Sequence, residues 1–339
     1  MKKALCLLLI GAMLPFCGCS QRIELAFVAV CLGVDAREDG VTLTVKCPDY
    51  TGDKQDGEQS GYTTLSVKGA DWPRAVAALY AAAPVTPQFS QLREIIIGEG
   101  SFLYMPPEKL FACVDQLPGL RVHALVTVCP GSAAGQLESL NPEIGKRLSK
   151  YLDISLKHYE QQGVLPATSL SGALRDLGGC WRDPVLAYSG GGEARGYAIG
   201  SLGTLLLTPE EVQLYRLIRG ESQSYMLASD GRFYGTASRG RARRSVAGNT
   251  LILELPVYIT YSLYDEPPGP GAALKLQEEI QAFLHRLQSV GCDALGFGCA
   301  AVQGFSTLPE WLASGWPQRY AGADIQVVVE GKARQQPLL

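Results

Sequence analysis

Leu92-Arg93-Glu94-Ile95-Ile96-Ile97-Gly98 is a short apolar run, rich in isoleucine and closed by a glycine. Such a run reads as a buried strand. Downstream, the pattern predicts a helix over Pro107 to Gln116, a strand over Ala124 to Val128 and a helix over Ile144 to Gln161. On the last of these, Leu148, Leu152, Ser155, Leu156 and Tyr159 share one face. Upstream, Ala26 to Val34 and the alternating Val41-Thr42-Leu43-Thr44-Val45 flank Arg37-Glu38-Asp39-Gly40, whose Asp-Gly pair signals a hairpin. Asp49 to Gly61 is a polar loop, and Thr63 to Val67 reads as a further strand. Asp71 then caps a helix through Ala75 to Ala82, with Pro73 in its first turn. Strands joined by turns and strands joined by helices occur together, which predicts an α+β fold: mixed β-sheets flanked by helices.

The run Ser189-Gly190-Gly191-Gly192 is the strongest linker signal in the chain. Beyond it, Gly196 to Leu207 reads as a strand pair, and Thr208-Pro209-Glu210-Glu211 opens a helix with a capping box. Arg232 to Val246 and Thr250 to Tyr264 are long β segments joined at Gly248-Asn249. A long helix follows in which Leu276, Ile280, Phe283, Leu287 and Val290 step by four and three until Gly291. A short helix near Leu308 to Leu312 and a strand from Asp324 to Val329 complete the chain. The expected organisation is a signal peptide over 1–18, an α+β region over 19–188, a linker over 189–195 and a second α+β domain over 196–339. Two to three domains suit 339 residues.

At the N-terminus, Lys2 and Lys3 precede an apolar run from Ala4 to Phe16, and Gly18 stands directly before Cys19. This is the layout of a bacterial lipoprotein signal. The apolar run spans about 20 Å as a helix, short of the ~30 Å hydrocarbon core. Cleavage before Cys19, with lipid on its sulfur, would leave an exported domain tethered to a membrane. Phe16 occupies the place where such signals usually carry leucine. Loss of Lys2 and Lys3 with the leader leaves a net charge of about −5, which argues against nucleic acid as a partner.

Seven further cysteines, at 31, 47, 113, 129, 180, 292 and 299, make an odd number. Several sit in apolar segments and read as core residues. They point to a reducing setting with one bridge at most. No CxxC occurs and the three histidines, His123, His158 and His285, lie far apart, so no metal site is expected. No nucleophile elbow, Walker A loop, dinucleotide fingerprint or HExxH is present. The expectation is a chain without catalytic residues and without a cofactor. Glu210 and Glu211 read as helix-capping acids.

Two features remain as candidate interaction surfaces. Arg239, Arg241, Arg243 and Arg244 form the one basic cluster; on a strand the first three would share a face. They read as a charged sheet edge or as a contact for anionic lipid headgroups. Phe297, within Cys292-Asp293-Ala294-Leu295-Gly296-Phe297-Gly298, lies near Trp311 and Trp316. These aromatics read as packing or as a binding surface.

Taken together, these segments resemble the Ger(x)C family, the lipoprotein C subunit of spore germinant receptors. The resemblance rests on Cys19, Arg22 to Val30 and Leu32-Gly33-Val34-Asp35, then Ser66-Val67-Lys68-Gly69 and its following helix. Leu92 to Glu99, the Gly196 to Glu211 region, and Asp293 to Gly298 with Pro309-Glu310-Trp311 and Trp316 complete it. Ser20 stands where the family commonly has tryptophan, and Gln91 where it has histidine. The resemblance implies a three-domain lipoprotein on the outer face of the cytoplasmic (spore inner) membrane. Its implied partners are a multi-spanning A subunit and a transporter-like B subunit. The competing reading is a solute-binding lipoprotein that delivers a small ligand to a transporter, a class built from two similar lobes.

Overall fold

The computed structural model describes residues 27–48, 61–140, 148–161, 165–166, 168–178, 181–189, 195–221, 225–229, 231–262 and 266–335. The signal peptide, Cys19, the polar loop after Pro48, Cys180 and the glycines at 190–192 lie outside the described residues.

The predicted hairpin is present. Strands β1 (Phe27–Val28) and β2 (Cys31–Arg37) lead into β3 (Gly40–Pro48), and Arg37 stands opposite Gly40 across a two-residue turn. Gly40 has φ of 130°, and a Cβ there would lie 2.2 Å from the Gly69 carbonyl oxygen, so this corner requires glycine. Strand β4 (Tyr62–Gly69) extends the meander. Helix α1 (Trp72–Ala82) starts where Asp71 accepts the Arg74 N–H at 2.9 Å. After β5 (Pro87–Gln88), which pairs with β1, the chain enters β6 (Glu94–Gly98), the isoleucine-rich run predicted as a buried strand.

Strand β6 lies parallel to β2, β7 (Leu125–Cys129) parallel to β6, and β8 (Val185–Tyr188) parallel to β7. Parallel neighbours need crossovers. The connection from β2 to β6 contains β3, β4 and α1; helix α2 (Pro107–Asp115) lies between β6 and β7, and α3 (Ala133–Ser139), α4 (Leu148–Gln161) and α5 (Leu170–Gly178) lie between β7 and β8. Strands β9 (Gly196–Ile199) and β10 (Thr204–Leu207) then add antiparallel strands to the edge. The result is an eight-stranded sheet ordered β10-β9-β8-β7-β6-β2-β3-β4, parallel at its centre and antiparallel at both flanks. This is the mixed sheet expected of the α+β reading.

Alternation along the strands distributes three cores. Leu32, Ile95, Ile97 and Val126 face α1, α2 and α5, while Cys31, Ile96 and Cys129 face α3 and α4. At the far end, Leu186 and Tyr197 belong to the first of these cores, but Val185, Ala198 and Leu207 belong to the core of the C-terminal half. Strands β8 and β9 therefore serve two cores at once, and β10 serves the second. Strand pairing runs across the expected division at 189–195. Val185 opposes Ala198 and Ala187 opposes Gly196, so the glycine run joins neighbours within one sheet, which continues to Leu207.

Helix α6 (Pro209–Arg219) carries the predicted capping box, with Glu211 N–H donating to Thr208 Oγ1 at 3.3 Å and Thr208 N–H to Glu211 Oε2 at 3.0 Å. The second sheet contains β11 (Tyr225–Ser229), β12 (Arg232–Ser238), β13 (Arg243–Ala247), β14 (Thr250–Tyr261) and β15 (Asp324–Gln335). Strands β12 and β13 pair in turn with the two halves of one edge of β14, and β15 pairs parallel along its other edge. The final strand thus runs six residues past the predicted Val329. Helix α7 (Pro270–Ser289) buries Leu276, Ile280, Phe283 and Leu287 as its period predicts, and Gly291 follows it at φ of 64°.

Candidate functional site

The segment after α7 folds around one carboxylate. Asp293 is 3% exposed. Its Oδ1 accepts the N–H groups of Gly296 and Phe297, each at 2.9 Å. Its Oδ2 accepts the Gly298 N–H at 2.7 Å and the Trp316 indole N–H at 3.1 Å. Gly296 sits at φ of 76°. At Gly298 a Cβ would lie 2.7 Å from the Trp181 carbonyl oxygen and 2.8 Å from Trp316 Nε1, so both glycines are required by the turn.

A second acid grips this loop from the first sheet. Asp183, just before β8, accepts the Asp293 N–H at 2.7 Å, and its own N–H donates to the Asp293 carbonyl at 3.1 Å. Burial pushes the Asp183 carboxyl up to about 7, with the Asp293, Glu108 and Asp176 charges adding to it and the Asp293 N–H opposing. Burial also raises the pKa of Asp293, against the four donors that hold its ionised form. The junction thus fastens the segment between α5 and β8 to the turn after α7 and to α10 (Trp316–Ala321). Its chemistry is that of a polar clamp. Sequence reading singled out the Asp293 to Gly298 segment but missed Asp183, whose partner lies 110 residues away.

The aromatic half of the candidate interaction surface is corrected. Phe297, Trp311 and Trp316 are 0%, 1% and 4% exposed. Trp311, on α9 (Leu308–Ala313) after the short α8 (Gly298–Ala301), packs tilted against Trp316 at 5.5 Å and edge-to-face against Phe305 at 5.4 Å. Trp316 and Phe297 both lie against Tyr320. The short helices turn these rings into the core, so they pack and present no surface.

The arginine cluster is divided rather than aligned. Ser238 opposes Val257 and Arg243 opposes Glu254, so the four residues 239–242 stand across from only Leu255 and Pro256. Pro256 offers no N–H to the ladder, and the chain bulges there. Arg239 packs over the Tyr258 ring at 6.0 Å, and Arg244 points inward, where burial lowers its pKa. Only Arg241 and Arg243 are exposed. The predicted shared face of Arg239, Arg241 and Arg243 is replaced by this bulge.

Elsewhere, the described cysteines are free thiols; Cys31, Cys47, Cys129 and Cys292 are buried and Cys299 is exposed. Buried Lys46 donates to the carbonyls of Leu137 and Leu140 and so caps the C-terminal end of α3. Among the described residues no group of three or more histidine, cysteine or acidic side chains is placed to hold a metal ion. None of their helices is long and apolar enough to cross a membrane.

These features define an α+β protein whose two halves share one mixed sheet and are clamped by the Asp183–Asp293 pair. Residues 20–189, half of the chain, match the family described as the spore germination protein N-terminal domain. The chain belongs to this family, the Ger(x)C proteins. Among solved structures it is similar to the crystal structure of the GerBC protein. That likeness has a TM-score of 0.50 at 13% identity and covers 89% of this chain and 96% of that one, which establishes a shared fold. No curated protein sequence matches it.

Proposed function

We propose that this chain is the C subunit of a nutrient germinant receptor, anchored by lipid on Cys19 and acting through protein contacts rather than catalysis. The observation that carries this reading is the spore germination domain beginning at residue 20, directly after the lipoprotein-type cysteine. Two acyl chains give stable anchoring where one would be marginal. Confinement beside a multi-spanning A subunit and a transporter-like B subunit on the outer face of the spore inner membrane raises effective concentration. Modest intrinsic affinities then suffice.

Cys19→Ala is expected to release the protein from the membrane fraction and to reduce nutrient-triggered germination to the level of a deletion strain. Germination by a trigger that bypasses nutrient receptors should persist. Variant spores that respond normally to every nutrient would overturn the reading.

Arg241 and Arg243, the exposed members of the cluster, supply a supplementary contact to anionic headgroups, at about 1 kcal/mol each. The double change to Gln in delipidated protein is expected to weaken binding to anionic vesicles about thirtyfold. Unchanged binding would remove this contact.

A further inference from the structure

Between the first sheet and α4 lies a cavity of about 460 Å³ that the Asp293 junction does not use. Glu94 and Thr127 lie side by side on its floor, on neighbouring strands β6 and β7. Its roof is α4, where Tyr151, Ser155 and Tyr159 step by four along one stripe. Arg195, at the start of β9, lines the same space.

Glu94 has too few partners for its burial. It is 5% exposed, and its Oε1 accepts one hydrogen bond, from Thr127 Oγ1 at 2.9 Å. No other hydrogen bond or ion pair reaches it among the described residues, although a carboxylate offers about four acceptor sites. Nearby charge does not compensate. Lys46 spends its ammonium on the Leu137 and Leu140 carbonyls. Cys31 on β2 and Cys129 on β7 are thiols whose pKa values burial raises. Burial accordingly pushes Glu94 up to about 7.

We propose that this cavity binds a small molecule through a protonated amino group seated on Glu94, with its apolar body against Tyr151 and Tyr159. An ammonium supplies the charge-assisted hydrogen bonds that the carboxylate lacks, and tyrosine ring faces attract a cation. The volume lies within the range of small-molecule sites, roughly 300–1,000 Å³. Arg195 lines the same space and has a partner of its own, so a ligand carboxylate would meet a guanidinium that is already engaged. This inference is independent of the receptor assignment, because it requires neither membrane nor partner subunits.

Binding has a definite pH signature. The amine pairs with ionised Glu94, so a protonated Glu94 must first lose its proton. Affinity therefore rises with pH up to about 7 and levels off above it. The other groups around this space are Thr127 from β7, Tyr188 from β8, Lys46 from β3, the two thiols, Gln136 from α3, the α4 tyrosines and Arg195.

The test is calorimetric titration of the full-length protein in detergent with 2-phenylethylamine and with phenylalanine, which adds a carboxylate. Saturable binding is expected, weaker by about tenfold or more in Glu94→Gln, and about tenfold weaker at pH 6 than at pH 8. Glu94→Gln is nearly isosteric and keeps an acceptor for Thr127. Ser155→Trp fills the cavity from the α4 side without touching Glu94; it should abolish binding while leaving the unfolding temperature unchanged. Tighter binding of either probe supports the site, provided Glu94→Gln weakens it. Absence of saturable binding of both probes to the unaltered protein overturns the proposal. So does binding indifferent to Glu94→Gln.

Discussion

Asp293→Ala should destabilise the protein by about 3–5 kcal/mol, because one carboxylate satisfies four enclosed donors. Removing it strands the N–H groups of Gly296, Phe297 and Gly298 and the Trp316 indole, and each unsatisfied buried group costs about 1–3 kcal/mol. The sum is moderated because the loop relaxes and the like charge of Asp183 is relieved. Asp293→Asn should cost nearly as much. Its carbonyl oxygen can serve two donors, but its NH₂ would then face the others. Trp316→Phe strands nothing, since it removes the donor itself, and should cost only about 1 kcal/mol. Denaturant unfolding followed by fluorescence reads this region directly, since Trp311 and Trp316 both sit there. A loss below about 1 kcal/mol in Asp293→Ala would show that the turn holds without its carboxylate.

This clamp also shows what the sequence made legible. Local signals translated well: the Asp71 cap, the Thr208/Glu211 box and the four-three stepping of α7 are written within a few residues of where they act. Non-local arrangements were silent. Nothing near Leu92 to Gly98 states that β6 is flanked by β2 and β7 in parallel, since that order arises from crossovers dozens of residues long. Composition cannot reveal that Val185 and Ala198, on either side of the glycine run, pair with each other. The arginine run misled because its bulge is dictated by Pro256, on a different strand. The Asp293 segment was visible as a tight aromatic turn, but its closure by Asp183 was not. Glu94 read as part of a strand; its isolation follows from the helices that cover it.

Stability should fall as pH rises from about 5 to 7, the reverse of a protein held by ionised carboxylates. Asp183 and Glu94 account for it: burial raises both to about 7, from ordinary values of 3.8 and 4.5. Below about pH 3 both groups are protonated in the folded and unfolded chains alike, and their contribution is constant. Between about 4 and 7 the unfolded chain has released these protons while the folded chain retains them. The folded state then binds more protons, so the unfolding free energy declines with pH, by about 1 kcal/mol per unit for each group. Above 7 both states are ionised and the dependence flattens. Asp293 shifts in the same direction. Asp39, whose pKa Lys68 lowers, works in the opposite sense, but it is solvent-exposed and weakly coupled to folding. Asp183→Asn and Glu94→Gln should each remove part of the slope, and the double variant most of it. Urea unfolding at half-unit steps between pH 5 and 8 measures this. A midpoint that climbs across that window in the unaltered protein would mean that both acids are ionised inside the fold. The Asp183 clamp would then be an ionised pair, and Glu94 would carry a charge that the cavity alone sustains.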